Sequence, residues 1–372
     1  TGGLLLITIS LCMIVKNEEA VLERLLRTMS TVADQIVIMD TGSTDRTKEI
    51  AARYTDEVYD FPWTDDFAAA RNAACQKAVS DYWMWMDADD VMEPEQAARL
   101  KKLKETLDPS VDVVMMKYLT GFDENGRTSF SYYRERILKN HKGFRWQGRV
   151  HEAVPPAGNI LYTDIEIQHR KEGAGDKDRN LRIYETMLNQ GEPLEPRHQF
   201  YYARELYYHE RYEDAVRVFR AFLQEPDGWV ENKIDACLHL ALCQEHLGHT
   251  EKAVEALLKS FLYDSPRGEA CCELGRMKMK EEKYREAAYW YTQALSSRPA
   301  EQTGAFVRKD CYGFLPAIQL CVCYDRLGDH RRAWHYHLKS QKLKPEHPSV
   351  RQNQTYFEHI LKRPAEGQPS AQ

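Results

Sequence analysis

The chain has 372 residues, of which 43% are hydrophobic and 29% charged, and its formal net charge is −6 at pH 7. This length predicts two domains, and an acidic balance without any basic block disfavours a nucleic-acid partner. The nine cysteines are scattered without a Cys-X-X-Cys pair, which disfavours a disulfide framework and favours a reducing, cytoplasmic location.

The first part of the chain alternates apolar runs with amphipathic segments. Strands are predicted at residues 4–15, 35–39 and 57–60, and helices at residues 20–29, 46–54 and 68–78. This alternation predicts a mostly parallel sheet with covering helices. The run at residues 4–15 is too short to span a bilayer as a helix. Because no Gly-X-Gly-X-X-Gly and no phosphate-cradling glycine loop occurs, NAD and P-loop chemistry are disfavoured.

The later strands of this half predict a change in direction within the sheet. They are expected at residues 82–86, 112–119, 132–138 and 160–169. A hairpin-type turn at residues 123–126 would pair two of these strands in antiparallel fashion. The sheet is therefore expected to be parallel first and mixed later.

The stretch around residues 82–90 organises this half of the chain. Its large apolar residues run directly into Asp87, Asp89 and Asp90, which indicates a buried strand that ends at the edge of a site. Oxygen ligands of this kind suit Mg²⁺ or Mn²⁺ held together with substrate phosphates. The alternative is a solvated acidic turn that caps the following helix.

After a flexible joint at residues 172–175, the whole remaining sequence favours helices. Small and aromatic residues recur with the spacing of a helix–turn–helix repeat of about 34 residues. The recurring positions are Ala203, Ala215 and Phe219, then Ala241 and Ala253, then Gly275, Ala287, Tyr291, Ala294 and Pro299, and finally Cys321, Ala333 and Pro345. Because each unit leaves an apolar face for its neighbour to cover, a short stacked solenoid is expected.

Five ordered segments of the first half resemble family 2 glycosyltransferases. They are residues 9–18 (Ile-Ser-Leu-Cys-Met-Ile-Val-Lys-Asn-Glu), 40–45 (Asp-Thr-Gly-Ser-Thr-Asp), 67–72 (Phe-Ala-Ala-Ala-Arg-Asn), 87–89 (Asp-Ala-Asp) and 148–152 (Gly-Arg-Val-His-Glu). The variant with a helical tail is similar to a bacterial subgroup that includes the sublancin-type peptide S-glycosyltransferases.

The resemblance implies an α/β nucleotide-sugar transferase domain of the GT-A fold, followed by an all-α tetratricopeptide-like repeat domain. The expected boundaries are 1–172 for the transferase domain, 173–195 for a linker helix and 196–350 for the repeats. Residues 351–372 are expected to form a partly disordered tail.

The resemblance also implies the residues that bind a UDP-sugar donor. Asp40 would bind the uracil ring, Val15 and Asn17 would line the base pocket, and Asp87 with Ala88 would contact the ribose. Arg71 would assist the diphosphate, and a surface cation is the alternative.

The same resemblance implies a metal and a catalytic base. Asp89 would ligate Mg²⁺ or Mn²⁺ at the donor diphosphate, and His169 would be a further ligand, with a hydrogen-bonded core histidine as the alternative. Glu152 would stand where inverting members keep a catalytic acidic residue, which acts as a base. Those members more often have Glu-Asp where this chain has His151 and Glu152, so either residue remains a candidate for the base.

The expected function is inverting, metal-dependent transfer of a hexose from a UDP-sugar to a Cys, Ser or Thr side chain of a peptide or protein. The repeats would present this acceptor, and they would also suit a homodimer. One alternative is an interaction module with a degenerate transferase domain. Another is an enzyme whose acceptor is a cell-envelope glycan or lipid.

Overall fold

The structure, a computed structural model, describes residues 6–122, 126–170, 176–300 and 303–361. Its described residues up to Arg211, together with those of 301–306, form one compact unit. The described residues of 212–300 and from 307 onward form a second unit. The predicted joint at residues 172–175, most of the turn at 123–126 and the end of the tail lie outside the described residues.

The first unit contains one mixed sheet with helices packed against it. Its strands are β1 (Ile9–Val15), β2 (Gln35–Asp40), β3 (Val58–Asp60), β4 (Tyr82–Trp85), β5 (Asp90–Val91), β6 (Val113–Phe122), β7 (Thr128–Lys139) and β8 (Ile160–His169). Its helices are α1 (Leu22–Met29), α2 (Thr47–Ala51), α3 (Phe67–Cys75), α4 (Pro94–Thr106), α5 (Arg179–Asn189) and α6 (Pro196–Tyr208).

The strands of this sheet run in the order β3-β2-β1-β4-β7-β6-β8-β5. Strands β1 to β4 pair in parallel, whereas β7 is antiparallel to both β4 and β6. Strand β5 pairs antiparallel with β8, which sets Asp90 opposite His169. This arrangement confirms the predicted fold class, with a sheet that is parallel first and mixed later.

The alternation of side chains along β1 explains why both faces of the sheet are covered. Leu11 and Met13 lie in one apolar core, whereas the intervening Cys12 lies in another. Helix α1 fills the first core with Leu22, Leu25, Leu26 and Met29, spaced as one face of a helix. The second core contains Ala68 and Ala74 of α3, so that helix is fixed against the sheet.

The first unit extends beyond the domain end expected at residue 172. Helices α5 and α6 belong to it. Both approach the segment that follows β7, and on α5 the ring of Tyr184 stacks on that of His151 with the centroids 6.4 Å apart. A Cβ atom at Gly148 would lie only 2.3 Å from the ring of His198 on α6. Gly148 also has a φ of +95°, so this close approach requires glycine. The sequence alone carries no local sign of such a contact between distant segments.

The second unit is mostly helical. It contains α7 (Tyr212–Phe222), α8 (Val230–His246), α9 (Thr250–Lys259), α10 (Gly268–Lys280), α11 (Tyr284–Ser296), β9 (Val307–Arg308), α12 (Phe314–Arg326), α13 (His330–Leu343) and α14 (Pro348–Leu361), with 3₁₀ turns at Ser260–Leu262 and Lys309–Tyr312. Helix α8 packs on α9, α10 on α11, and α12 on α13.

The small residues of the predicted repeat are the points at which paired helices meet. Ala253, Ala287 and Ala333 are fully buried or nearly so. At Gly275 a Cβ atom would lie 2.8 Å from the ring of Tyr291, so only glycine allows α10 and α11 to approach this closely.

All nine cysteines are free thiols, and Cys75 is the one that is not buried. No helix among the described residues combines the length and apolar character needed to cross a bilayer.

Candidate active site

The acids that follow β4 meet the last residue of β8. Nδ1 of His169 lies 3.3 Å from Oδ1 of Asp89 and 3.6 Å from Oδ1 of Asp90. One potential ligand atom from each of these three side chains falls within 4.8 Å of the others. Carboxylate and imidazole ligands suit Mn²⁺, and carboxylates suit Mg²⁺, at about 2.1 Å per bond. Small side-chain movements would let one ion reach all three residues.

Asp90 is held more firmly than Asp89. It is fully buried, and it accepts hydrogen bonds from the hydroxyl of Tyr118 at 2.8 Å and from Nη1 of Arg136 at 3.0 Å. The hydroxyl of Tyr118 also lies 3.0 Å from Nδ1 of His169. Asp90 therefore positions its neighbours in the cluster, whereas Asp89 is 18% exposed and accessible to a ligand.

The electrostatics of this cluster favour a cation. Hydrogen bonds to Asp89 and then Asp90 raise the pKa of His169 to about 10, although partial burial acts in the opposite direction. The imidazole therefore carries a proton between two carboxylates at neutral pH. A divalent ion would replace that positive charge, so the donor set fits the expected metal.

Arg71 joins two other expected site residues. Its Nε donates to Oε1 of Glu152, and its Nη2 donates to Oδ1 of Asp87, each at 2.6 Å. The guanidinium is buried against the rings of Trp85 and Trp146, which contact each other edge to face, and its carbon lies 5.2 Å and 4.9 Å from their centroids. Its Nη1 is buried without a hydrogen-bond partner among the described residues. Arg71 is therefore not the surface cation considered as an alternative.

The charges around Arg71 determine its protonation and that of Asp87. Burial favours the neutral forms, but the carboxylates of Asp87 and Glu152 raise the pKa of Arg71 above its ordinary value. Burial also opposes ionisation of Asp87, yet the cations Arg71 and Arg136 lower its pKa to about 2. Near pH 7 Arg71 is thus a cation paired with the ionised carboxylate of Asp87.

A second group of expected residues lies at the ends of β1 and β2. Oδ1 of Asp40 accepts from the backbone N–H groups of Gly42 and Ser43 at 2.9 Å and 2.8 Å, while its Oδ2 is buried without a partner among the described residues. Asn17 has a φ of 55°, and its Oδ1 accepts from the N–H of Thr44 at 2.8 Å. This loop is thus held rigidly around the carboxylate of Asp40.

Two of the expected residues contribute little through their side chains. Val15 lies opposite Asp40 in the sheet, and its carbonyl accepts from the N–H of Thr41 at 2.9 Å. Ala88 is buried in the apolar core of the unit. Their predicted contacts with the donor remain predictions, and such contacts would involve mainly their backbone atoms.

His151 faces helix α6. Its Nε2 lies 2.8 Å from Oε1 of Glu205, and its ring stacks on Tyr201 with the centroids 4.2 Å apart. Its backbone has a φ of 50°, a conformation that costs free energy in a residue other than glycine. The adjacent Glu152 instead turns toward Arg71, so the two candidates for the base have different surroundings.

Sequence reasoning missed Tyr118 and Arg136, the buried support of the cluster, and it gave Asp90 no role apart from the neighbouring acids. Arg136 is fully buried, and its guanidinium carbon lies 3.8 Å from the ring centroid of Trp85 and 4.2 Å from that of Tyr118. A cation within a strand of buried residues was the available signal. Such a residue is rarely buried without an acidic partner nearby.

Two family models match this chain. The model described as glycosyl transferase family 2 matches residues 10–161, and the tetratricopeptide repeat model matches residues 234–265. These matches confirm the resemblance for the first half and the helical-repeat character of the second. The first match covers β1 to the start of β8 and includes most of the site residues described above.

Several curated proteins are similar to parts of the chain. The TPR repeat-containing protein Synpcc7942_0270 of Synechococcus elongatus is 32% identical over 152 residues, which cover 41% of this chain and 36% of that protein. The SPbeta prophage-derived glycosyltransferase SunS of Bacillus subtilis is 27% identical over 228 residues, covering 56% of this chain and 51% of that protein.

The lipopolysaccharide core biosynthesis glycosyltransferase LpsC of Rhizobium meliloti is 27% identical over 152 residues, covering 39% of this chain and 56% of that protein. The chain therefore spans between about a third and just over half of the length of these curated relatives.

Proposed function

We propose that this chain is a metal-dependent glycosyltransferase, starting from the glycosyl transferase family 2 domain that its residues 10–161 form. It would transfer a hexose from a uridine diphosphate sugar, with inversion, to a Cys, Ser or Thr side chain of a peptide or protein. The observation that carries the proposal is the double ion pair of Arg71, which joins Asp87 of the acidic stretch to Glu152.

The surroundings of Asp40 support a nucleotide base as part of the donor. Its Oδ1 is fixed by the turn that follows β2, and its buried Oδ2 has no partner among the described residues. An unsatisfied buried acceptor costs free energy, and an N–H group of a ligand would satisfy it. The imide N–H of uracil is such a group.

Asp89 and His169 would hold the divalent ion, and Asp90 would orient them. When bound, the ion would neutralise the negative charge that develops on the departing nucleoside diphosphate. The buried Nη1 of Arg71 lacks a partner among the described residues and would suit a phosphate oxygen or a hydroxyl of the donor. Asp87 would accept a hydrogen bond from a ribose hydroxyl.

Glu152 is the better supported base of the two candidates. Its side chain is 11% exposed and is oriented by Arg71, whereas Nε2 of His151 already contacts Glu205. A carboxylate fixed in this way would accept the proton of the attacking hydroxyl or thiol as that group bonds to the anomeric carbon and the diphosphate departs. His151 would position Glu152 through the backbone that they share.

The helical repeats support a polypeptide acceptor, because stacked repeats offer an extended surface. The free cysteines suit a cytoplasmic setting. A glycan acceptor is the second candidate, and it is favoured by the similarity to LpsC, whose name places it in lipopolysaccharide core biosynthesis.

A screen of nucleotide sugars for diphosphate release, with and without Mn²⁺, would test the proposal. Each donor would be offered alone, with candidate peptides, and with lipopolysaccharide core oligosaccharides. Metal-dependent release that rises with a peptide supports the proposal, and release that rises with an oligosaccharide favours the second candidate. If no nucleotide sugar is bound or cleaved under any condition, the domain is degenerate.

A further inference from the structure

A groove of about 870 Å³ lies on the second unit, and none of its lining residues belongs to the site described above. It runs between helix α11 and the turn that joins α12 to α13. Its volume is in the range of ligand-binding clefts, and its walls combine charged side chains with apolar surface. The groove is thus a separate feature of the helical repeats.

The charges along this groove are mainly positive. Arg285, Arg331 and Arg332 line it together with one acid, Asp329. Arg332 is already engaged, because its Nε donates to Oδ2 of Asp329 at 2.5 Å and its guanidinium lies 4.3 Å from the ring centroid of Tyr324. His330 also lines the groove, and its Nδ1 lies 3.0 Å from Oδ1 of Asp325, outside the lining.

Two cations of the groove form no ion pair. Within the part of the chain that the structure describes, the side chains of Arg285 and Arg331 make no hydrogen bond or ion pair, and both residues are exposed. Asp329 acts on Arg331 only as a nearby negative charge. Five of the nine other described arginines of this unit face a carboxylate, as Arg276 faces Glu245. Because the chain as a whole has a net charge of −6, this excess of positive charge in the groove is local.

Apolar surface lies beside these cations. Tyr289, one helical turn after Arg285, is 58% exposed, and Leu327 in the opposite wall is 41% exposed. Exposed aromatic and aliphatic side chains next to unpaired arginines are typical of surfaces that bind polypeptides. The groove therefore combines two kinds of recognition, one for carboxylates and one for apolar side chains.

We propose that this groove binds an acidic segment of a partner polypeptide. Glutamate or aspartate side chains of the segment would pair with Arg285 and Arg331, and its apolar side chains would pack on Tyr289 and Leu327. A nucleic acid fits less well, because the overall negative charge of the chain repels a long polyanion whereas a short segment meets only the local cations. The inference is independent of the proposed transferase activity.

The test uses the full chain and a short fluorescein-labelled peptide rich in glutamate and phenylalanine. A matched peptide carries glutamine in place of glutamate. Binding is followed by fluorescence anisotropy at low and at moderate salt. We expect the glutamate peptide to bind more tightly, and its affinity to fall as salt rises because exposed ion pairs are screened.

The decisive variant is the double substitution Arg285→Glu and Arg331→Glu. The control double substitution, Lys252→Glu and Lys339→Glu, makes the same charge change at exposed positions outside the groove. We expect the first to weaken binding of the glutamate peptide by about tenfold or more, and the control by less than about twofold. Circular dichroism would verify that both variants keep their helices.

Several results would overturn the inference. They are equal weakening by both double variants, equal binding of the glutamate and glutamine peptides, no binding of either peptide, and tighter binding of a DNA oligonucleotide that depends on the same two arginines.

Discussion

Arg71 and Glu152 lie 2.6 Å apart, although they are 81 residues apart in the chain. The first stands on α3 and the second follows β7 in a segment that reaches toward α6. Because the same guanidinium also binds Asp87, this contact links the acid that would bind the donor to the residue that would accept a proton. The site is thus held together by one side chain that is itself almost inaccessible.

Replacement of Arg71 by lysine tests this link. A single ammonium lacks the two separate donor edges of a guanidinium, so Arg71→Lys should lower the turnover number by about 10²-fold while the protein stays folded. The measurement is diphosphate release from the donor, with thermal unfolding as a check. Arg267→Lys, which changes a buried ion-paired arginine of the second unit, should leave turnover intact. Near-normal turnover of Arg71→Lys would show that the double contact is dispensable.

Asp89 is expected to bind the metal. Asp89→Asn removes the charge from a hard-cation ligand, so turnover at ordinary Mn²⁺ concentrations should fall by at least about 10²-fold, with partial recovery at high Mn²⁺. A titration of diphosphate release against Mn²⁺ measures the shift. Glu93→Gln makes the same chemical change at an exposed position nearby and should have no effect. An unchanged titration for Asp89→Asn would remove Asp89 from the site.

Substitutions of Glu152 and His151 should have different effects. Glu152→Gln should keep donor binding but lose about 10²- to 10⁴-fold in transfer, because a general base is removed. His151→Ala should mainly lower the melting temperature, since it removes the stacking on Tyr201 and the contact with Glu205. Transfer rates, donor dissociation constants and melting curves of both variants separate the two effects. If His151→Ala stops transfer in a stably folded protein, His151 is the base.

The first unit should require α5 and α6 for its stability. A fragment that ends at residue 172 lacks Tyr201 and Glu205, and it also lacks Glu192, whose Oε1 accepts from Nη2 of Arg149 at 2.6 Å. It should melt several degrees lower than a fragment that ends at residue 211. In a domain of this size, a loss of about 1 kcal/mol in the free energy of unfolding lowers the melting temperature by a few degrees. Calorimetry of the two fragments makes the comparison. Equal melting temperatures would mean that these helices do not stabilise the unit.

Glu245 should stabilise the second unit in a pH-dependent manner. Ion-paired hydrogen bonds from Arg276, supported by Lys280, lower the pKa of Glu245 to about 2. Because the folded pKa lies below the unfolded value, its contribution is complete above about pH 4.5 and is lost as the pH falls toward 2.

Glu245→Gln should therefore lower the free energy of unfolding by about 1 kcal/mol at pH 7 and by much less at pH 3. Urea titrations at both pH values provide the comparison, with Glu255→Gln as a control on the neighbouring helix. A loss of stability that is equal at both pH values would contradict the assignment.

Local patterns predicted β2 and β4 well, because these strands are apolar runs bounded by polar residues. Strand β5 was not predicted, and β7 begins four residues before its predicted start. The limits of β8 were predicted to the residue, and β2 to within one residue. The meeting of Asp89 with His169 was expected from the resemblance, and the pairing of β5 with β8 provides its physical cause.

Contacts between distant segments were harder to foresee. The direction in which His151 points depends on Tyr201 and Glu205, which lie about fifty residues later in the chain. Nothing in the immediate neighbourhood of His151 indicates that its ring stacks on a helix. The burial of Arg136 is a similar case, since it requires both Asp90 and the ring of Trp85 to be in place.

The exposure of the cysteines has a practical consequence. Eight of the nine thiols are buried, and Cys75 is the exception, at the last turn of α3. A maleimide fluorophore applied to the native protein should therefore react faster at the half-buried Cys75, one helical turn beyond Arg71, than at any other thiol. The emission of that dye would provide an optical signal for events in the site, without the introduction or removal of a single residue.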